Sequence, residues 1–176
     1  MPSSRLMVLI GAIATLLLSA VVVAPTAAAR DGVFPEGFFY IRNVSSGLVV
    51  DIKYGSTAEG AKAVVWHRKS GSSANQLWKY DDGFLVNKNS GLVLEVVGYE
   101  GGASIAPGAS VAQARRRERP ESLNQLWAYN YEMLMPYDPR VALSARDGNF
   151  AAGTEVVVDT PQMHDPRQEW MFDTAE

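Results

Sequence analysis

Four residues between Asp51 and Trp78 together supply the groups that hold a polyhydroxylated ring: Asp51, Trp66, Asn75 and Gln76. A carboxylate accepts hydrogen bonds from two adjacent hydroxyls, an amide donates to one of them, and an aromatic ring covers a face of C–H groups. Singly, each residue has a plainer use. Asp51 follows the apolar run Leu48-Val49-Val50 and could be a solvated strand-end carboxylate. Asn75 suits a turn. Trp66 could pack in a core, although it runs straight into polar His67-Arg68-Lys69. Taken jointly, with Gly60 nine residues after Asp51 and Trp66 six further on, they read as a site.

The stretch closes on Gln76-Leu77-Trp78, and that ending returns. Gln125-Leu126-Trp127 and Gln168-Glu169-Trp170 repeat Gln-x-Trp at spacings of 49 and 43 residues. Two positions after each Trp stands another aromatic: Tyr80, Tyr129 and Phe172. Copies of such a unit must share a core, because one alone buries too little to be stable. Trp78, Trp127 and Trp170, with the three aromatics that follow them, are the expected core. Burying each is worth roughly 2–3 kcal/mol.

Between these markers the chain reads as short strands. Phe38 to Asn43, Leu48 to Ile52, Lys62 to Trp66 and Leu77 to Tyr80 are apolar, aromatic or β-branched, with turns such as Ser45-Ser46-Gly47 between them. Phe84 to Val86, Leu92 to Val97, Val111 to Ala114 and Leu126 to Tyr129 follow the same grammar. Met133 to Met135, Val141 to Ser144, Gly153 to Val158 and Trp170 to Phe172 do so again. Tyr54 to Gly60, Ser70 to Ser73 and the Gly-rich Gly98 to Gly108 read as loops. No window has a helical period, so the fold class is all-β.

The three Gln-x-Trp endings, with the Asp51-to-Trp78 spacing, resemble the ricin B-type lectins, also called ricin-type carbohydrate-binding modules. The resemblance covers nearly all of the chain after its first thirty residues. It implies a β-trefoil spanning 30–176, with pseudo-threefold symmetry and four-stranded repeats at about 36–80, 81–130 and 131–176. It also implies roles in the first repeat. Asp51 accepts from two sugar hydroxyls, Trp66 stacks on the ring, Asn75 donates to a hydroxyl, and Gln76 holds the pocket floor. Val64 departs from the polar residue that many relatives carry two positions before the aromatic. The implied ligands are galactose-type or xylan-like glycans, bound without a metal or other cofactor. The rival reading is a β-trefoil protein-interaction module, such as an inhibitor or toxin subunit, using the 98–108 or 113–121 loops.

The other repeats depart further. In the second, Glu95 stands for the Asp and Ala114 for the aromatic, while Asn124 and Gln125 remain; the Glu95-to-Gln125 span is 30 residues against 25 in the first. In the third, Ser144, Asp159 and Arg167 replace the carboxylate, the aromatic and the Asn. Binding is therefore expected in the first repeat alone. Arg115-Arg116-Arg117-Glu118-Arg119 is the one dense charge run, expected to be a solvated loop balanced by Glu118 and Glu121 rather than an anion patch. The two His, His67 and His164, have no metal-ligand or nucleophile spacing around them, and Asp81-Asp82 is a paired carboxylate in a turn without a partner, so catalysis is not expected.

Composition agrees with a single domain. Of 176 residues 47% are hydrophobic, none is Cys, and the net charge is −3, which speaks against a general nucleic-acid surface. Residues 1–29 read as a cleaved secretory signal: Arg5, an apolar stretch from Leu6 to Val23, then Ala27-Ala28-Ala29. Cleavage removes Arg5, takes the net charge from −3 to −4 and leaves no membrane anchor. Without disulfides the core carries the stability. Asn43-Val44-Ser45 is a glycosylation sequon.

Overall fold

The computed structural model describes residues 34–99, 104–148 and 150–175. The expected signal segment and part of the 98–108 loop lie outside the described residues. Those residues form twelve strands in three sets of four. The first set is β1 (Phe39–Asn43), β2 (Val49–Ile52), β3 (Ala63–Trp66) and β4 (Trp78–Asp81). The second is β5 (Phe84–Asn87), β6 (Val93–Val96), β7 (Val111–Ala114) and β8 (Trp127–Asn130). The third is β9 (Met133–Pro136), β10 (Ala142–Ala145), β11 (Val156–Asp159) and β12 (Trp170–Thr174).

Six strands close a ring. β1 pairs with β12 and touches β4, β4 pairs with β5, and β8 pairs with β9. Phe84 bridges Leu126 to join β5 to β8, and the Trp170 amide donates to the Glu132 carbonyl to join β9 to β12. The remaining strands form the hairpins β2–β3, β6–β7 and β10–β11. Bridges Lys62–Ala112, Val64–Glu155 and Ser110–Val157 tie those three hairpins together. A six-strand barrel capped by a hairpin triplet, in threefold repetition, is a β-trefoil, and the closure protects the barrel from exposed strand edges.

The core follows the two-residue period of the strands. Val50 and Ile52 of β2, and Ala63 and Val65 of β3, point into one apolar cluster with Trp78, Trp127 and Trp170. All three Trp are buried. Each donates its indole N–H to an equivalent carbonyl: Trp78 to Val50 at 3.2 Å, Trp127 to Leu94 at 2.9 Å, Trp170 to Leu143 at 3.0 Å. Tyr80, Tyr129 and Phe172 pack against this cluster. Phe34 from the lead-in fills the space among them, stacked on Tyr80 at 3.9 Å between centroids and tilted against Phe172 at 5.0 Å. Nothing in the lead-in's composition marks Phe34 for that place.

Three expectations change. The strand expected from Gly153 begins only at Val156, because Gly153 has φ +95° and it and Thr154 exchange backbone hydrogen bonds with Val65 instead. Single 3-10 turns, Lys53–Gly55 and Ala74–Gln76, stand at the edges of the loops expected from Tyr54 to Gly60 and from Ser70 to Ser73. Asn43 of the sequon is fully buried and donates its amide to the carbonyls of Pro166 at 2.8 Å and Glu169 at 3.1 Å, which leaves no room for a glycan. No helix among the described residues is long and apolar enough to cross a membrane.

Candidate functional site

The β2–β3 hairpin turns a sequence separation of fifteen residues into a surface neighbourhood. Its register sets Asp51 opposite Val64 and Val49 opposite Trp66. Asp51 and Trp66 are therefore diagonal neighbours on the face turned away from the core, about 7–8 Å apart by strand geometry. Asp51 is only 3% exposed, and a carboxylate so enclosed requires partners. Its Oδ2 accepts from Gln76 Nε2 at 2.9 Å and pairs with Lys69 Nζ at 3.0 Å. Its Oδ1 takes no hydrogen bond from the described residues, so an acceptor remains open.

Gln76 and Asn75 sit on the 3-10 turn Ala74–Gln76, and both are buried. Besides Asp51, Gln76 donates to the His67 carbonyl at 2.9 Å and accepts from the Lys69 backbone N–H at 3.0 Å. It thus latches the segment after β3 onto β2 and fixes the rotamer of Asp51. Asn75 lies in the same cluster with its amide turned inward. Its Nδ2 donates to the Ile52 carbonyl at 3.0 Å, and its Oδ1 accepts from Lys69 Nζ at 2.9 Å. In this arrangement Asn75 positions Lys69.

Asp51, Lys53, Tyr54, Val64, Trp66, Lys69 and Gly153 line a cleft of about 530 Å³. Trp66 is 41% exposed, with its ring edge on Gly153 of the third repeat; a Cβ there would lie 3.3 Å from Trp66 Cζ3. Tyr54 stands at the cleft with 93% of its surface exposed, in a left-handed conformation (φ +61°) that a bulky residue rarely adopts. The structure thus brings the four sequence-predicted residues together and adds Lys53, Tyr54, Lys69 and Gly153. Lys69 was visible only as part of a polar flank. Gly153 had no local signal, because it reaches Trp66 through the contact between hairpins: its N–H donates to the Val65 carbonyl at 2.8 Å.

The second repeat preserves the frame and changes the contents. Gln125 Nε2 donates to Glu95 Oε2 at 2.8 Å and to the Arg115 carbonyl at 2.9 Å, and Asn124 Nδ2 donates to the Val96 carbonyl at 2.7 Å. Arg117 takes the position of Lys69, with Nη2 at 2.6 Å from Glu95 Oε2 and 2.9 Å from Asn124 Oδ1. Ala114 offers no ring. In the third repeat Gln168 keeps its latch to Thr160 and Gln162, while Arg167 pairs with Asp165 at 2.5 Å and with Asp159 at 3.5 Å. Carboxylate and cation there have replaced ring and amide.

The arginine run differs from its expected state. Arg115 pairs with Glu59, Arg116 pairs with Asp81 and Asp82 and stacks on Phe84, and Arg117 pairs with Glu95. The carboxylates come from the loop before β3, from β4 and the turn after it, and from β6, not from Glu118 and Glu121. Asp81-Asp82 thereby gains a partner.

Frame and fold define a class: a β-trefoil whose three repeats share one latch of Gln, backbone carbonyl and 3-10 turn or its equivalent. Residues 32–114 match the family described as the ricin-type beta-trefoil lectin domain-like family, and the fold carries the same architecture through the third repeat. The chain resembles that family over those residues. Among curated proteins it is similar to mucoricin of Rhizopus delemar, 38% identical over 58 residues; the aligned stretch spans 32% of this chain and 40% of mucoricin. Among solved structures it resembles the mdaA-1 domain, with 28% identity and a TM-score of 0.69 over 80% of this chain and 91% of that one. The earthworm R-type lectin C-half, solved in complex with GalNAc, shares the fold at 22% identity and a TM-score of 0.63, over 79% and 98% of the two chains.

Proposed function

We propose that this chain is a secreted carbohydrate-binding protein that recognises galactose-type or related pyranose glycans through one site, in the first repeat, and that it is a binding module rather than an enzyme. One observation carries the reading: the open Oδ1 of Asp51 and the exposed ring of Trp66 line one cleft. A pyranose laid on Trp66 presents hydroxyls to Asp51, whose orientation Gln76 fixes in advance, so little ordering remains to be done on binding. Lys69, held by Asn75 and Asp51, adds a donor beside that acceptor. The earthworm lectin's complex with GalNAc supports sugar as the ligand class, and the sequence pattern of residues 1–29 supports export.

The test is retention on immobilised galactose and elution with free galactose. Retention that free sugar does not reverse, or none on any glycan of an array, favours the protein-interaction reading instead. Export is tested by the intact mass of secreted protein, expected to begin at or within a few residues of Arg30.

A further inference from the structure

Charge around the cleft runs against the balance of the whole chain. The sequence carries a net −3, yet Lys53 and Lys69 line the cleft against Asp51. Lys69 is matched by Asp51 at 3.0 Å. Lys53 forms no ion pair with the described residues; its Nζ lies 5.3 Å over the exposed Tyr54 ring at the cleft. The wall behind Val64 repeats the imbalance. Glu155, bridged to Val64, is shared by Lys62 at 2.7 Å and Arg146 at 3.2 Å. This neighbourhood sets Lys53, Lys62, Lys69 and Arg146 against Asp51 and Glu155. The denser arginine run supplies no comparable surplus, since Arg115, Arg116 and Arg117 each hold a carboxylate.

A concave surface with a surplus of positive charge focuses its field on whatever enters. We propose that the preferred ligand is an acidic glycan, a pyranose bearing a carboxylate. This rests on the sugar-binding reading of the same cleft. The ring lies on Trp66, a hydroxyl reaches Asp51 Oδ1, and the carboxylate meets Lys53. Tyr54 holds that lysine at the cleft by a cation–π contact without supplying a counter-charge. Uronic acids and sialic acids share this chemistry.

The experiment titrates the protein with galactose and galacturonic acid, and with lactose and sialyllactose, at about 20 mM and about 500 mM salt. The acidic member of at least one pair should bind roughly tenfold tighter at low salt, and the pair that shows it distinguishes uronic from sialic acid. The ratio should fall to about twofold at high salt, where exposed charges are screened. Lys53→Gln should bring the low-salt ratio close to one, and Lys79→Gln, on β4, should leave it unchanged. Neutral sugars bound as tightly as their acidic partners would overturn the acidic preference and leave the lectin reading standing. A preference that survives Lys53→Gln would overturn the role of Lys53. Binding of none of the four sugars would remove both.

Discussion

Lys69 and Arg117 are structural counterparts: in successive repeats each carries its cation to the carboxylate of the first hairpin strand and to the Asn of the following 3-10 turn. They differ in what else stands beside them. Lys69 shares its carboxylate with an open cleft and an exposed Trp66. Arg117 binds a longer carboxylate where Ala114 leaves no ring. Either Lys69→Met or Arg117→Ala leaves an enclosed carboxylate short of partners and should destabilise the fold by about 1–2 kcal/mol in urea unfolding. Only Lys69→Met should also change sugar affinity. Equal loss of binding in both variants would contradict the assignment of the working repeat.

Trp127 serves the fold alone, in a repeat without a stacking ring. Trp127→Ala opens a cavity in the shared core and strands the Leu94 carbonyl, at a cost of roughly 3–5 kcal/mol. A melting temperature equal to the parent's would show that the residue is not core.

Gly153 sits where a side chain would meet both strain and Trp66. Its φ is +95°, and an added Cβ would press the indole at 3.3 Å. Gly153→Ala should cost about 1–2 kcal/mol and weaken sugar binding by displacing the ring. Tryptophan fluorescence of the variant, with and without sugar, reads both. Unchanged affinity would mean the ring is not held from the third repeat.

The sequence disclosed what repeats and what alternates. Trp78, Trp127 and Trp170 were legible because the Gln-x-Trp ending recurs. Asp51 and Trp66 were legible as a pair because the strand period and the family spacing agree. Contacts between units were not legible. Lys69 finds Asp51 only because Gln76 latches the turn between them, and Gly153 meets Trp66 only because three hairpins close on one another. Arg115, Arg116 and Arg117 have nearby carboxylates at Glu118 and Glu121, yet reach Glu59, Asp81, Asp82 and Glu95, which the barrel brings beside them. Ion-pair partners follow topology, and a local charge pattern does not record it.

Acid should unfold the protein through three carboxylates. The Arg140 hydrogen bond lowers Asp138 from 3.8 to about 2. Lys62 holds Glu155 below its ordinary range, and Arg167 does the same for Asp165. Their folded-state values are depressed, so the unfolded chain takes up protons first as pH falls. Their contribution is present above the ordinary carboxylate range, about pH 4–4.5, and is lost as pH falls below it, for Asp138 down to about 2. Melting temperature should fall across that window, and Asp165→Asn should flatten the fall. A melting temperature constant from about pH 5 to 2 would contradict the assignment.

Titration calorimetry on the parent and three variants tests the binding claim most directly. A shallow single site should bind a monosaccharide with Kd near 1 mM, roughly −4 kcal/mol. Asp51→Ala removes an acceptor of charge-assisted hydrogen bonds, each worth roughly 1.5–3 kcal/mol, and Trp66→Ala removes the stacking face, worth about 1 kcal/mol or more. Either change should abolish detectable binding of galactose, lactose or xylobiose, while Glu95→Ala should leave affinity nearly unchanged. Full binding by Asp51→Ala with loss in Glu95→Ala would place the working site in the second repeat and contradict the account.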